Sequence, residues 1–123
     1  MFTRIDHIAI NIKNLIASTK FYVTTFGFTI LFEDTIPSGH KINYLKLNDT
    51  ILELHENYQG EINGSHFCLH SDDFDKDYNY LINNNIKLFR PVHHTNPRAS
   101  HEIGWKRAVF LGLDNEQIEI RGK

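Results

Sequence analysis

Residues 44–54 read Tyr-Leu-Lys-Leu-Asn-Asp-Thr-Ile-Leu-Glu-Leu, and residues 110–120 repeat the pattern as Phe-Leu-Gly-Leu-Asp-Asn-Glu-Gln-Ile-Glu-Ile. In each stretch an Asn/Asp pair separates two runs of apolar character, which is typical of a β-hairpin. With the stretches aligned, Glu53 falls on Glu119, and both have apolar neighbours on either side. The chain therefore contains two copies of one hairpin, each with a glutamate in its second strand.

The repeat extends back to the beginning of each half. Moving 59 residues along the chain takes His7 to His66, and moving 66 residues takes the first hairpin to the second. The longer polar loop before Trp105 accounts for the larger second offset. Matches of His on His and Glu on Glu in one register are not expected by chance. We predict a single domain of residues 1–123, with repeats at about 3–57 and about 63–122.

The sequence pattern of each repeat predicts the element order β-α-β-β-β, so we expect an α+β fold. Asn14 and Asp72 are predicted to cap the two helices, since short polar side chains accept hydrogen bonds from the first turn. Gly27 and the run of asparagines at 83–85 are predicted to end them. The predicted strands are 4–12, 28–33, 41–47, 50–56, 65–71, 86–92, 106–113 and 116–121, and the helices are 15–26 and 73–84. A long polar loop is expected from about His93 to Gly104.

Strand alternation predicts a metal site on the face away from the helices. Successive strand residues point to opposite faces, so the glutamates lie opposite the leucines and isoleucines that flank them. A carboxylate buried alone is costly, and a metal ion would neutralise it. Two imidazoles and two carboxylates suit Zn²⁺, Ni²⁺, Co²⁺, Mn²⁺ or Fe²⁺. We predict that one divalent ion is bound by His7, Glu53, His66 and Glu119. The alternative for each residue alone is a hydrogen-bonded strand histidine or a solvated glutamate.

Composition narrows the class of protein. The 123 residues carry a net charge of −2, which does not suit a nucleic-acid binder. Cys68 is the single cysteine, so no intramolecular disulfide forms and a cytoplasmic setting is expected. No stretch approaches the roughly 18 apolar residues of a membrane span. The expected ligand is a small molecule, with no nucleic acid or membrane partner.

Motifs along almost the whole chain resemble the vicinal-oxygen-chelate superfamily. They are Ile-Asp-His-Ile-Ala-Ile at 5–10, the Asn-Leu, Phe-Tyr and Phe-Gly-Phe series through Phe28, Ile-Leu-Glu-Leu at 51–54, and the closing segment 110–120. This superfamily includes glyoxalase I, methylmalonyl-CoA epimerase, extradiol dioxygenases, fosfomycin-resistance transferases and bleomycin-binding proteins. The resemblance implies two βαβββ repeats that form a curved, mostly antiparallel sheet. It also implies a homodimer, in which the site forms within one chain or across two.

The four predicted ligands resemble those of glyoxalase I, which uses His, Glu, His and Glu at these places. The resemblance implies a lactoylglutathione lyase-like metalloenzyme that acts in methylglyoxal detoxification. Such an enzyme removes a proton from a metal-chelated hemithioacetal, with Glu119 or Glu53 as the base. We expect Ni²⁺, Co²⁺ or Zn²⁺ ahead of Mn²⁺ or Fe²⁺.

Four further residues are predicted to contact the substrate: Asn11, Asn57, Trp105 and Arg107. Bacterial glyoxalase I has an arginine where Asn11 stands, whereas Asn57 matches an asparagine that contacts glutathione. Trp105 lines the pocket or packs on the sheet. Arg107 binds an anion or is a solvated surface charge. Two other functions stay open: a different metal enzyme of the superfamily, such as an epimerase or a thiol transferase for an electrophilic toxin or antibiotic, and a non-catalytic small-ligand-binding protein.

Overall fold

A computed structural model describes residues 7–35, 39, 41–58, 66–97 and 100–123. The chain divides into two compact units, Met1–Gly60 and Glu61–Lys123. The boundary falls between the two predicted repeats, so each unit contains one repeat. The grouping of both into a single domain stays a prediction. Neither helix in the described part of the chain has the length and apolar character needed to span a membrane.

The first unit contains the predicted β-α-β-β-β order. Its elements are β1 (Ile8–Ile12), α1 (Leu15–Phe26), β2 (Thr29–Thr35), β3 (Lys41–Leu47) and β4 (Thr50–Glu56). The strands form one sheet in the order β1-β4-β3-β2. β1 pairs with β4 in parallel, and the other two pairings are antiparallel. The first part of the predicted strand 4–12, residues 4–6, lies outside the described residues.

The second unit repeats this arrangement. Its elements are β5 (His66–Ser71), α2 (Phe74–Asn83), β6 (Leu88–His94), a short 3-10 turn (Ser100–Glu102), β7 (Lys106–Leu111) and β8 (Gln117–Gly122). The sheet order is β5-β8-β7-β6, and only the β5–β8 pairing is parallel. The α+β fold with two βαβββ repeats is therefore confirmed.

The helix ends confirm three of the predicted signals and correct one. The Asn14 side chain accepts a hydrogen bond from the Ala17 amide at 2.8 Å, and Gly27 ends α1 with φ of 75°. Asn85 takes the same left-handed conformation after α2, with φ of 58°. The prediction that Asp72 caps α2 was wrong. Asp73 is the cap and accepts from the Lys76 amide at 3.3 Å, so the helix begins one residue later.

The strands that follow the helices also begin later than predicted. The sequence predicts strand structure at Phe28 and Ile86, but their amides donate to carbonyls inside the preceding helices, Tyr22 and Leu81 respectively. Closing the helix C-terminus takes these two residues out of the sheet. β6 then continues through His93 and His94, which pair with β7, so the predicted polar loop begins after His94.

Each helix covers one face of its own sheet. α1 packs on β2, β3 and β4, and α2 packs on β7 and β8. The apolar residues that flank the two glutamates are buried on these faces: Leu52, Leu54, Ile118 and Ile120. A buried polar contact lies in the first core, where the Asn43 side-chain amide donates to the Thr19 hydroxyl at 2.9 Å. The predicted ligands lie on the opposite face of each sheet.

The start of each helix is tied to the end of the last strand of its unit. In the first unit the Leu15 amide donates to the Glu56 carboxylate at 2.8 Å. In the second, the Phe74 amide donates to the Lys123 carbonyl at 2.9 Å. There the chain passes so close to Ser71 that a side chain at Gly122 would collide with the Ser71 carbonyl oxygen. These ties hold the helices against β4 and β8, the strands that carry Glu53 and Glu119.

Candidate metal site

The first unit places His7 beside Glu53. Glu53 lies in β4, opposite Ala9 of β1 and Tyr44 of β3. The His7 Nε2 atom is 2.8 Å from Glu53 Oε2, and the side chains are 44% and 8% exposed respectively. The exposed imidazole therefore covers a nearly buried carboxylate.

The second unit reproduces this pair. Glu119 lies in β8, opposite Cys68 of β5 and Val109 of β7. The His66 Nε2 atom is 3.1 Å from Glu119 Oε2, and these side chains are 46% and 7% exposed. The pairs are thus alike in contact and in burial, as the sequence repeat predicts.

The surroundings of the two carboxylates differ. In the first unit His55 provides a second imidazole, with Nε2 at 3.5 Å from Glu53 Oε2. In the second, Cys68 lies beside Glu119. Although the Cys68 side chain is exposed at its outer surface, partial loss of hydration and the nearby Glu119 carboxylate raise the pKa of its thiol to about 12. Cys68 is therefore a neutral thiol at physiological pH.

An open cavity of about 600 Å³ lies over the ligand pair of the second unit. Glu119 and His66 form part of its wall, together with Arg107 and Arg121. The rest of the described wall is formed by residues 93–97 and Cys68. This volume lies within the range of small-molecule sites, roughly 300–1,000 Å³.

The four predicted substrate residues are placed differently. Arg107 lines the cavity, and its Nε donates to His93 Nε2 at 2.7 Å. Trp105 packs against three side chains, with ring centroids 5.2 Å from His70 and 5.5 Å from His101 and with the Arg121 guanidinium at 5.1 Å. Trp105 is not among the described residues that line the cavity.

The other two predicted contacts, Asn11 and Asn57, lie in the first unit. Asn11 is an exposed residue of β1 that pairs with His55 of β4. Asn57 follows β4, and its amide donates to the His55 carbonyl at 2.8 Å. Both asparagines thus lie close to His55: Asn11 is in β1, which begins directly after His7, and Asn57 directly follows β4, which carries Glu53.

The donor chemistry fits a divalent ion, although each unit alone supplies only two of the four predicted ligands. Across the described residues there is no group of three or more His, Cys, Asp or Glu side chains arranged to hold a metal. Within each pair, however, a carboxylate of low exposure faces an imidazole nitrogen that is open to solvent. Such N/O donors suit first-row divalent ions.

Sequence reasoning missed two contributions to the second unit. His93 was assigned to a loop, and no local signal shows that it continues β6 and contacts Arg107. Arg121 falls on the Glu119 face by strand alternation, and this signal was present. It forms an ion pair with Glu102 at 2.9 Å, which the sequence separation of the two residues conceals.

Comparisons with known proteins agree with this architecture. A family model described as the Glyoxalase/Bleomycin resistance protein/Dioxygenase superfamily matches residues 4–119. A search of curated proteins found no match. Among solved structures, a glyoxalase family protein from Enterococcus faecalis is 25% identical, with a TM-score of 0.81 and 98% coverage of both chains.

Two more distant structures share the fold. FosX, a fosfomycin resistance protein from Listeria monocytogenes complexed with Mn(II) and sulfate, is 16% identical, with a TM-score of 0.75 and coverage of 100% of this chain and 94% of that one. TnmS3, an antibiotic-binding protein from a Streptomyces species, is 21% identical, with a TM-score of 0.73 and coverage of 97% and 94%. With the family match over nearly all its length and the two βαβββ units, the chain belongs to the glyoxalase/bleomycin resistance/dioxygenase superfamily.

Proposed function

We propose that this protein is a metal-dependent enzyme of the glyoxalase type, in which both His–Glu pairs bind one divalent ion. The observation that carries the proposal is the duplicated pair: a nearly buried carboxylate with an exposed imidazole at equivalent positions of the two units. Neither pair alone provides the three or four protein donors of an ordinary metal site. Together, His7, Glu53, His66 and Glu119 do.

The proposed reaction moves a proton between two neighbouring carbons of a small substrate that carries adjacent oxygens. A hemithioacetal formed from a 2-oxoaldehyde and a thiol is the leading candidate. A bound divalent ion would act as a Lewis acid toward those oxygens. Glu119 removes the proton from one carbon as general base, and the resulting carboxylic acid returns a proton to the neighbouring carbon. We assign this role to Glu119, which lines the cavity of the second unit, and keep Glu53 as the alternative base.

A direct test combines metal loading with an assay. The purified protein is depleted of metal, reloaded with Ni²⁺, Co²⁺, Zn²⁺ or Mn²⁺, and incubated with methylglyoxal and several thiols, glutathione among them. We expect bound metal and the formation of a thioester with at least one thiol. Absence of metal binding with every ion would contradict both the glyoxalase proposal and any other metal-enzyme proposal.

A second candidate is a different metal enzyme on this scaffold, such as a thiol transferase for an electrophilic antibiotic. Asn11 favours it, since an uncharged residue stands where the resemblance to bacterial glyoxalase I predicts an arginine for glutathione. Metal binding without turnover of any hemithioacetal would favour this candidate. Binding of an antibiotic without metal would favour the third possibility, a non-catalytic binding protein.

We further propose that the protein acts as a cytoplasmic homodimer. The resemblance to the superfamily supports this, because its small members often pair so that each metal takes ligands from both subunits. A two-fold symmetric dimer would bring a His–Glu pair of one chain to a pair of its partner. Light scattering coupled to size-exclusion chromatography measures the mass directly. A mass of one chain at all concentrations would contradict the dimer, and the four ligands would then have to come from a single chain.

A further inference from the structure

We propose that Arg107 binds an anionic group of the substrate, so that the substrate class is a small oxyanion, a carboxylate or a phosphonate. This inference deepens the proposed function and rests on it for the chemistry at Glu119. The recognition of the anion itself depends only on the second unit. Three observations carry it: the position of Arg107, the pairing of the neighbouring charges, and the way His93 holds the guanidinium.

Arg107 lies on the same sheet face as the proposed base. It pairs across strands with Arg121 of β8 and with His93 of β6. Arg121 is two residues beyond Glu119 in one strand, so both point to one face, roughly 7 Å apart along the strand. An anion at Arg107 would therefore lie a few bonds from the atoms that react at Glu119.

The other cations of this hairpin are already paired with carboxylates. Lys106 is bound to Asp75, with both oxygens at 2.7 Å from the ammonium nitrogen. Arg121 is bound to Glu102 at 2.9 Å and lies over the ring of Trp105. Arg107 differs, because no carboxylate of the described residues forms an ion pair with it.

His93 holds Arg107 without neutralising it. The His93 Nδ1 atom is 3.0 Å from the Pro91 carbonyl, which can only accept, so Nδ1 carries the proton. The His93 Nε2 atom is then the acceptor for Arg107 Nε at 2.7 Å. This bond occupies one edge of the guanidinium. Within the described part of the chain its terminal nitrogens form no other hydrogen bond, so they can donate to a ligand.

The electrostatics of the cavity favour an anion near Arg107. The guanidinium is half-buried, and Arg121, which lies directly across from it, already has the Glu102 carboxylate as its counter-charge. A carboxylate or a phosphonate would balance the positive charge of Arg107, and either group can accept two parallel hydrogen bonds from one guanidinium. The polar cavity wall, which includes Thr95 and Asn96, leaves room for such a group.

The experiment titrates metal-free protein with acetate in one arm and methylphosphonate in the other, followed by calorimetry and by the arginine Nε–H signals in NMR spectra. We expect one anion to bind and to shift the Arg107 signal. Arg107→Gln should weaken that binding at least tenfold. The anion affinity of Arg107→Lys should lie between those of the wild type and Arg107→Gln, because lysine keeps the charge but lacks the parallel donors of the guanidinium. The preferred arm identifies the substrate as a carboxylate or a phosphonate.

Lys106→Gln is the matched control, since Lys106 is the next residue in the strand and is already paired with Asp75. It should change anion affinity less than twofold. Equal affinities of the wild type and Arg107→Gln, or binding of neither anion, would overturn the inference. Arg107→Gln should keep the metal affinity of the wild type. A wild-type protein that binds the anion but no metal would refute the proposed function and leave the anion site standing.

Discussion

Each half of the molecule contains a His–Glu pair, but the described residues around the two pairs differ. In the first half Glu53 has Ala9 and Tyr44 as cross-strand neighbours and His55 two residues further on. Tyr44 in turn packs on Phe32, with ring centroids 5.3 Å apart. The first pair therefore has an aromatic and an imidazole side chain among its neighbours.

In the second half, the corresponding neighbours of Glu119 are Cys68, Val109 and Arg121. Arg107 adds a second cation to this face. The comparison shows that a His–Glu pair is present in both halves, whereas two arginines lie beside the pair in the second half. We therefore propose different tasks for the two halves: metal binding in both, and recognition of an anionic substrate in the second.

The largest expected effect separates the two glutamates. Glu119→Gln should lower turnover by about 10²–10⁴-fold even when the metal is restored, because an amide cannot accept the substrate proton. Glu53→Gln should weaken metal binding and recover most of its turnover in excess metal. Steady-state assays with metal analysis of each variant measure this difference. Loss of turnover in Glu53→Gln with activity retained in Glu119→Gln would move the base to the first half.

A second prediction concerns the close approach of Gly122 to Ser71 in the second half. Gly122→Ala should lower the free energy of unfolding by about 3 kcal/mol, because the new methyl group meets the Ser71 carbonyl and separates β5 from β8. Gly27→Ala is the control, since no atom lies within 4 Å of its added carbon and only its left-handed backbone is strained. It should cost about 1 kcal/mol. Equal losses in urea unfolding would mean that β5 and β8 tolerate the methyl group.

The equivalent tie in the first half should be weaker. Glu56→Ala removes the acceptor of the Leu15 amide and should cost about 1 kcal/mol, the usual effect of losing a helix cap. Glu33→Ala, an exposed glutamate of β2, is the control and should change stability little. Urea unfolding of both variants gives the comparison. A loss at Glu56 no larger than that at Glu33 would show that the carboxylate does not hold the helix.

The smallest effect is expected at Cys68, which has alanine as its counterpart in the first half. Its raised pKa, about 12 against an ordinary 9.0, keeps the thiol protonated at pH 8–9. Alkylation of metal-free protein by iodoacetamide should therefore be slow there and accelerate only as the pH rises toward 12. Unfolded protein should react at the ordinary rate. A folded-state rate profile with its midpoint near pH 9 would contradict the raised pKa.

The sequence predicted most of the fold because local signals were consistent. Alternation, a cap and a glycine gave α1, β3 and β4 with the observed bounds. The error at Asp72 arose because two adjacent aspartates are both suitable caps, and backbone conformation selects Asp73. The error at His93 had a different cause, since pairing with β7 extends β6 into residues whose polar character indicates a loop.

The candidate site was predictable only where the repeat marked it. The His–Glu contacts within each unit follow from strand alternation and parallel pairing. The distinctive state of Arg107 does not, because it depends on Asp75 and Glu102 pairing with its neighbours and on His93 accepting from its Nε. Such pairings join residues far apart in sequence, and no local pattern encodes them.

The stoichiometry of metal binding tests the central claim most directly. Calorimetric titration of metal-free protein with Zn²⁺, checked by elemental analysis, should give one ion per chain. His7→Ala and His66→Ala should each weaken that same binding event at least tenfold, although they change different halves. Two ions per chain, or one event that survives either substitution unchanged, would contradict the account in which both pairs bind one metal.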